Sequence, residues 1–510
     1  APSPTGFLHF GGLFAAFIGK TATKSTNGVF YLRIEDTDKK REVENGVSLI
    51  VKGLNDFGIE IDEGMLSETD EKGAYGPYTQ SKRKEIYQAY VKSLVEQGLA
   101  YPCFMTEEEL ATIREKQESE KLLPGVYGEF AKYRDITVEE AQKRIENGDE
   151  YVVRLKSPGK EDKRIKFKDV IKGEIEMPEN ILDVVLLKKD GTPTYHFAHV
   201  VDDHLMRTTH VIRGDEWISS VPIQLFWLCG LKPPKYAHIS PIMKEENGGK
   251  RKLSKRKDPE AAVSYYSEVG YPKGAIWEYL MTLANSNYED WRLANPNEDI
   301  DNFKFSFSKM SKAGALFDMV KLADVSKNYI CRLSAEEVYE MVTDWAKENN
   351  KKLYKLLVDD EEYAKAIFAI ERGNAKPRKD ISAWTDVENY VSYFYSELWD
   401  RKFDFPDNLS NDDMIEILEL YKQIYDENVS SDDWFPQVRD MAETIGYAKA
   451  PKVYKKDPDS YKGHVGDVAG VIRVAATGRR NTPDLYEILQ VLGKDEVMKR
   501  FDEAIESLRG

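Results

Sequence analysis

The sequence predicts an α/β fold that carries an inserted domain and is followed by a helical C-terminal half. Three observations predict it. Over the first hundred residues, short β-rich runs alternate with stretches of helical periodicity, the pattern of a parallel sheet covered by helices. From about Tyr101 to Leu182 the texture turns polar, lysine-rich and irregular, and the α/β pattern then resumes. After about residue 325 the chain reads almost entirely as helix.

Each element has a local reason. Gly12 to Ile18 is a small-residue, apolar helix start, and Val29 to Ile34 is a β-rich run ending in the charged Glu35-Asp36-Thr37-Asp38. Val43, Val47, Ile50, Val51 and Leu54 fall at i, i+4, i+7, i+8 and i+11, one face of a helix that Gly58 ends. Asp183 to Leu187 and His210 to Arg213 have the composition of buried strands. Pro222 belongs in the first turn of a helix, and the apolar run Val221 to Leu231, interrupted by Gln224, reads as a buried helix. Ser334 and Glu337 form a capping-box pattern. Met414, Ile417, Leu418, Tyr421, Ile424 and Tyr425 keep helical spacing, and Thr482-Pro483 opens a helix that Gly493 closes. The opening Ala1-Pro2-Ser3-Pro4-Thr5-Gly6 reads as a turn, expected to follow a short first strand.

Composition narrows the function. At roughly 150 residues per domain, 510 residues imply three or four domains, and 41% hydrophobic residues suffice for several cores. No apolar run approaches the ~18 residues of a membrane span. The three cysteines, Cys103, Cys229 and Cys331, never form a Cys-x-x-Cys pair, which argues against a disulfide framework and a cysteine-rich zinc site. With no signal-peptide pattern, a cytoplasmic location is expected. A net charge of −16 repels nucleic acid at long range. Lys250 to Lys257 nevertheless holds six basic residues in eight positions, so a basic patch can sit on an acidic body.

Three constellations carry candidate chemistry. In the first, His9-Phe10-Gly11-Gly12 runs directly into a helix. A helix N-terminus offers unpaired N–H groups to a phosphate, and the glycines let a ligand approach the backbone. An ordinary strand-to-helix turn with a capping histidine fits as well. The second, Lys250 to Lys257, could embrace a triphosphate and stabilise departing pyrophosphate, or form a solvated surface run. The third runs from Thr194-Tyr195-His196 through His199, Asp202, Asp203 and His204 to Arg213-Gly214-Asp215-Glu216-Trp217. Read as strand and loop, its histidines and aspartates do not converge on a metal. Arg213, at the end of a strand, can grip a carboxylate through two parallel N–H bonds. A structural salt bridge to Asp36 or Glu216 is the other reading.

Together and in order, these motifs resemble the class I aminoacyl-tRNA synthetases, specifically the glutamyl branch. His9-Phe10-Gly11-Gly12 is similar to that class's first signature, written HIGH, with Phe10 and Gly12 as departures. Lys252-Leu253-Ser254-Lys255-Arg256 is similar to the second, KMSKS. Arg33 to Asp38, Gly76 to Ser81, Tyr195 to Trp217 and His464 to Arg473 each resemble glutamyl-branch motifs. The resemblance covers essentially the whole chain.

The resemblance implies a Rossmann-like catalytic domain over residues 1–100 and 183–240, split by an inserted α+β acceptor-stem-binding domain at 101–182. A stem-contact domain at 241–325 would carry the lysine loop. An all-α anticodon-binding region would fill 326–510, in two subdomains dividing near 375. The implied activity is ATP-dependent attachment of L-glutamate to tRNA-Glu, and whether tRNA-Gln is also an acceptor is left open. A catalytically inactive tRNA-binding or regulatory relative is the alternative. His9, Gly11, Gly12, Glu216, Lys252 and Lys255 would serve ATP, of which His9, Gly11, Gly12, Lys252 and Lys255 act in catalysis. Ala1, Ser3, Glu35, Tyr195, His199 and Arg213 would bind glutamate, and a further arginine would lie upstream of Ala1. Arg41 and Arg256 would face tRNA. ATP would arrive with Mg²⁺. Some relatives hold zinc in the inserted domain, but the matching Tyr101-Pro102-Cys103 has one cysteine, so no structural zinc is expected. A monomer is implied, with no membrane partner.

Overall fold

The computed structural model describes residues 1–510 except 1, 5–7, 38–42, 221, 222 and 255. The chain divides into two compact units, residues 1–266 with 276–319, and residues 267–275 with 320–510.

In the first unit, α1 (Phe10–Thr26) buries Phe10, Leu13, Phe14, Phe17 and Ile18 along one face. β1 (Tyr31–Leu32) pairs in parallel with β2 (Glu63–Met65), and the crossover between them is α2 (Gly46–Asn55). Val47, Ile50, Val51 and Leu54 are buried on α2 as their spacing requires. Val43 lies before the helix, which starts only after Asn45 turns through left-handed backbone. The expected strand over Val29 to Ile34 keeps just two ladder residues. Phe30 gives its N–H to the Asp62 carboxylate, and Ile34 joins Thr79 by an isolated parallel bridge. β3 (Glu71–Lys72) runs antiparallel to β2.

The next stretch is α+β. It contains α3 (Lys84–Glu96), β4 (Ala100–Cys103), α4 (Glu107–Ser119), α5 (Val138–Glu146), β5 (Val152–Leu155), β6 (Arg164–Asp169), β7 (Gly173–Pro178) and β8 (Val185–Leu187). β4, β5 and β8 form one antiparallel sheet in that order, while β6 and β7 form a separate hairpin. Asp183 stands outside its expected strand: it is buried, and its carboxylate accepts from Tyr101 Oη and Ser157 N.

The α/β pattern then returns through α6 (Tyr195–Leu205), β9 (His210–Gly214), α7 (Ile223–Leu228) and β10 (Lys235–Ile239). β9 and β10 pair in parallel across five residues. Three expectations change here. Tyr195 to His204, read from sequence as strand and loop, is the helix α6. Its Val200-Val201 pair imitates a strand, but Phe197, Ala198, Val200 and Val201 are all fully buried against Tyr87, Val91 and Phe226. β9 is half-buried rather than buried, and among the described residues β10 is its only ladder partner. α7 buries Ile223, Leu225 and Phe226 but leaves Trp227 51% exposed, so it is one-sided. Val221 and Pro222 lie outside the described residues. β11 (Met243–Glu246) and β12 (Gly249–Lys252) form a hairpin. Its turn, Asn247-Gly248, has positive φ at both residues, the backbone that a two-residue hairpin favours.

The second unit is helical. Ser334 and Glu337 cap Ala335–Asn349 reciprocally, as their spacing predicts. Asn411–Ile424 follows Ser410, and Leu485–Leu492 starts after Asp484 and ends at Gly493, whose φ is 76°. Val338, Val342, Ile417, Leu418, Val468 and Val471 are fully buried in one core. Arg500 is buried too, donating to the carbonyls of Tyr393 and Ala476 with its guanidinium 4.0 Å from the Trp399 ring centroid. Those acceptors satisfy a charge that burial would otherwise penalise heavily.

Candidate active site

The site is built on a buried ionic cluster. Arg33, 1% exposed, donates to Asp203 Oδ1 at 2.8 Å and Glu35 Oε1 at 3.3 Å. Arg83 donates to Asp202 Oδ1 at 2.7 Å, while Gln80 and Tyr87 donate to Asp202 Oδ2. Two guanidinium groups and the His199 imidazole therefore face three carboxylates. Glu35 is the most exposed of the three carboxylates, at 9%. Burial works to raise Asp203, but His199 and Arg33 outweigh it and hold the carboxyl well below the usual range.

The helix α6 presents Tyr195, His199, Asp202 and Asp203 at i, i+4, i+7 and i+8 on one face. His199 is 3% exposed, with Nε2 3.0 Å from Asp203 Oδ2 and Nδ1 3.5 Å from Arg33. Its nitrogens face inward, and its ring stacks on Tyr195 at 5.8 Å. Tyr195 also packs on Trp217 at 4.8 Å. Burial and the nearby Glu35 carboxylate push the Tyr195 phenol up to about 12, against the pull of Arg213, so it keeps its proton.

Arg213, at the carboxyl end of β9, is fixed by three bonds. Its Nε donates to His238 Nε2 at 3.1 Å, Nη1 to Tyr195 Oη at 3.3 Å and Nη2 to the Trp217 carbonyl at 3.3 Å. The Tyr236 ring centroid lies 5.0 Å from the guanidinium. Of the five N–H groups of an arginine, two remain, one on each terminal nitrogen, for a carboxylate to take. The alternative salt bridge is not formed. Asp36 accepts from Ser81 N and Ser81 Oγ, and Glu216 is exposed in the turn Asp215–Ser220. Pro2 accepts from Glu35 N at 3.1 Å and Pro4 from Val43 N at 3.0 Å, which sets the exposed Ser3 beside Glu35.

The nucleotide-type motifs also meet. His9 caps α1 through Nδ1, which accepts from Gly11 N at 2.9 Å. A Cβ on Gly11 would stand 3.3 Å from that nitrogen, a tight contact that glycine avoids. His9 forms an antiparallel bridge with Ala262, just beyond the lysine loop, and Phe10 packs on Tyr266 at 5.4 Å. Lys252 ends β12, exposed. Leu253 is 2% exposed and its N–H donates to Ile242 O, while Ser254 N donates to Asp258 Oδ2 at 2.9 Å. Arg251 grips Asp258 with both terminal nitrogens, at 2.6 and 2.7 Å, and Lys244 donates to the same carboxylate. Hydrogen bonds from Arg251 hold Asp258 well below the usual carboxylate range. Of the basic run, Arg251 is thus structural, whereas Lys252 and Arg256 remain exposed. Ala1, Arg41 and Lys255 lie outside the described residues.

Sequence reasoning missed Asp202, Asp203, Arg83, Gln80, His238 and Asp169 as supports of the site. Helical spacing from Tyr195 could have found the two α6 aspartates. Gln80 falls within the Gly76–Ser81 motif, and nothing local marks Arg83, His238 or Asp169.

Comparison with known proteins identifies the family. Residues 1–324 match the family model described as tRNA synthetases class I (E and Q), catalytic domain. Residues 459–505 match an anticodon binding domain. A glutamate–tRNA ligase from Clostridium perfringens (strain SM101 / Type A) is 53% identical over 507 residues, 98% of this chain and 92% of the relative. One from Clostridium beijerinckii is 51% identical over 510 residues, 99% of this chain and 92% of the relative. The crystal structure of a glutamate tRNA ligase from Elizabethkingia meningosepticum in complex with its amino acid superposes with a TM-score of 0.77. That pair shares 29% identity, with 99% of this chain and 98% of the other covered. The chain belongs to the glutamyl-tRNA synthetase family of class I aminoacyl-tRNA synthetases.

Proposed function

We propose that the chain activates L-glutamate with ATP to glutamyl-adenylate and passes the acyl group to the 2′-hydroxyl of the terminal adenosine of tRNA-Glu. The observation that carries this reading is the pair of unused Arg213 N–H groups beside the Tyr195 hydroxyl, linked through His199 and Arg33 to Glu35, the most exposed carboxylate of the cluster. Glu35 takes the ammonium group of glutamate, and Arg213 and Tyr195 take carboxylate oxygens. The backbone near Ala1 and Ser3 closes the site. His199 acts by holding Tyr195.

ATP enters as its Mg²⁺ complex. His9, Gly11, Gly12 and Glu216 border the nucleotide, and Lys252 and Lys255 meet its phosphates. The glutamate α-carboxylate attacks the α-phosphate in line and pyrophosphate leaves. The 2′-hydroxyl then attacks the adenylate carbonyl and AMP leaves. Nucleophile and electrophile both arrive ready, so positioning and charge stabilisation carry the rate. Arg213 offers only donors: a carboxylate satisfies them, whereas a carboxamide turns its own N–H against them.

Residues 101–182, with Arg41 and Arg256, face the acceptor end of tRNA, residues 241–325 the stem, and residues 326–510 the anticodon. The anticodon-domain match at 459–505 supports the last assignment. The inserted domain folds without zinc: Cys103 packs among Tyr101, Phe104, Met105 and Tyr133, as a small apolar residue would. The chain works as a cytoplasmic monomer.

Glutamate-dependent exchange of pyrophosphate into ATP in the presence of tRNA-Glu tests the reaction. Its absence with folded enzyme and tRNA bound would leave the inactive tRNA-binding relative as the reading. Charging tRNA-Glu and tRNA-Gln transcripts side by side shows whether both are acceptors.

A further inference from the structure

We infer that Asp169 and His238 form a positioning dyad that aims Arg213 at the amino acid. The inference rests on Arg213 binding glutamate. His238 is fully buried, and its ring lies between two partners of opposite hydrogen-bonding character. On one side Nδ1 is 2.7 Å from Asp169 Oδ2. On the other, Nε2 is 3.1 Å from Arg213 Nε, which can only donate. One tautomer satisfies both contacts: Nδ1 carries the proton and donates to the carboxylate, and Nε2 offers its lone pair to Arg213. The partner of one imidazole nitrogen thus decides what the other can do.

Asp169 is built to hold this tautomer. Its Oδ1 accepts from Ile171 N at 2.8 Å and Lys172 N at 2.7 Å, and its Oδ2 also accepts from His238 N at 3.1 Å. These N–H groups and the imidazole outweigh burial and keep the carboxyl below its ordinary range. Asp169 sits at the tip of the β6–β7 hairpin, docked on β10 where Val170 N donates to Tyr236 O. Tyr236 stacks on His238 at 5.8 Å and also underlies the Arg213 guanidinium. Hairpin, imidazole and guanidinium are therefore fixed as one chain. Because His238 occupies Nε, glutamate is left the remaining N–H groups of the two terminal nitrogens.

The dyad touches no substrate, so its effect falls on glutamate affinity and leaves ATP affinity alone. Asp169→Asn is nearly isosteric, but an amide N–H facing Nδ1 drives the imidazole proton to Nε2, against the Arg213 N–H. It should raise the glutamate KM roughly tenfold, the scale on which orienting partners of a binding group act, with the ATP KM within twofold. His238→Leu should do the same. The backbone N–H groups of Ile171, Lys172 and residue 238 still serve Asp169 in that variant. His238→Gln, with a donor for Asp169 and an acceptor for Arg213, should return the glutamate KM to within about threefold of the parent. Arg213→Lys is the control for the underlying reading and should itself raise the glutamate KM. An unchanged KM in Arg213→Lys would overturn the role of Arg213. A raised KM there, with unchanged values in Asp169→Asn and His238→Leu, would overturn the dyad alone. Equal rises in the glutamate and ATP KM, or no recovery with His238→Gln, would also overturn it by showing general structural damage.

Discussion

Arg33 Nη1 and Asp203 Oδ1 lie 2.8 Å apart, each side chain only 1% exposed, with no water-facing edge to soften the loss of either charge. The pair joins β1 and its following segment to α6 beneath the amino-acid site. Removing one partner strands the other in a low-dielectric interior, which typically costs about 3–5 kcal/mol. Asp203→Ala should therefore shift the urea midpoint of the first unit strongly downward. A shift worth under about 1 kcal/mol would mean that the cluster is solvated rather than buried.

The lysine loop is held at its base by Asp258, and in the proposed reaction its lysines meet the ATP phosphates. Lys255→Ala should slow adenylate formation roughly 10²-fold or more, as loss of one transition-state donor of about 3 kcal/mol does. Asp258→Ala should also slow it, on the order of tenfold, because Arg251 and Ser254 N lose their shared acceptor. Single-turnover pyrophosphate exchange separates the two from effects on binding. Full activity in Lys255→Ala would remove the loop from the mechanism.

Discrimination against glutamine follows from an arginine whose free groups are all donors. Glutamine should be activated with a kcat/KM at least about 10³-fold below glutamate, since a site built around one hydrogen-bonding pattern rejects the reversed pattern strongly. Comparable rates for the two amino acids would show that Arg213 does not read the side chain.

Acid should destabilise the first unit through named carboxylates. Asp203 and Asp169 have folded-state values held below the ordinary range, by His199 and Arg33 in one case and by His238 and backbone N–H groups in the other, each against opposing burial. A depressed carboxyl contributes stability that is complete above its unfolded value of about 3.9 and is lost as pH falls below it. Tyr195 acts oppositely: raised to about 12, it contributes fully below about pH 10 and loses that contribution as pH climbs through the folded value. Urea midpoints should stay level with respect to these groups from pH 5 to 9 and fall steeply below pH 4. A Asp203→Asn chain should show a shallower acid limb; an identical limb would place the acid sensitivity elsewhere.

Much of the fold was legible locally. The α2 stripe from Val47 to Leu54, the Ser334 capping box and the Gly493 helix stop are short-range patterns, and the structure realises them. Tyr195 to His204 was misread because two adjacent valines imitate a strand, while the helix is stabilised by burial on α3 and α7, which no local pattern reports. Leu253 shows the converse. An apolar residue breaking a basic run is visible in sequence, but its meaning, a plug that leaves Lys252 exposed, needs the core behind it.

The sequence alone determined which chemical groups the site could use: a glycine-bearing helix start, a run of cations, a strand-end arginine and an acidic segment after a β-rich run. These are matters of residue type and spacing along the chain. The tertiary structure decided how each group is held. Glu35 is tied through Arg33 to a carboxylate at 203, and Arg213 gains its direction from an imidazole at 238 and a carboxylate at 169. Burial strength and hydrogen-bond direction depend on neighbours in space, and those neighbours stand tens to more than a hundred residues away along the chain.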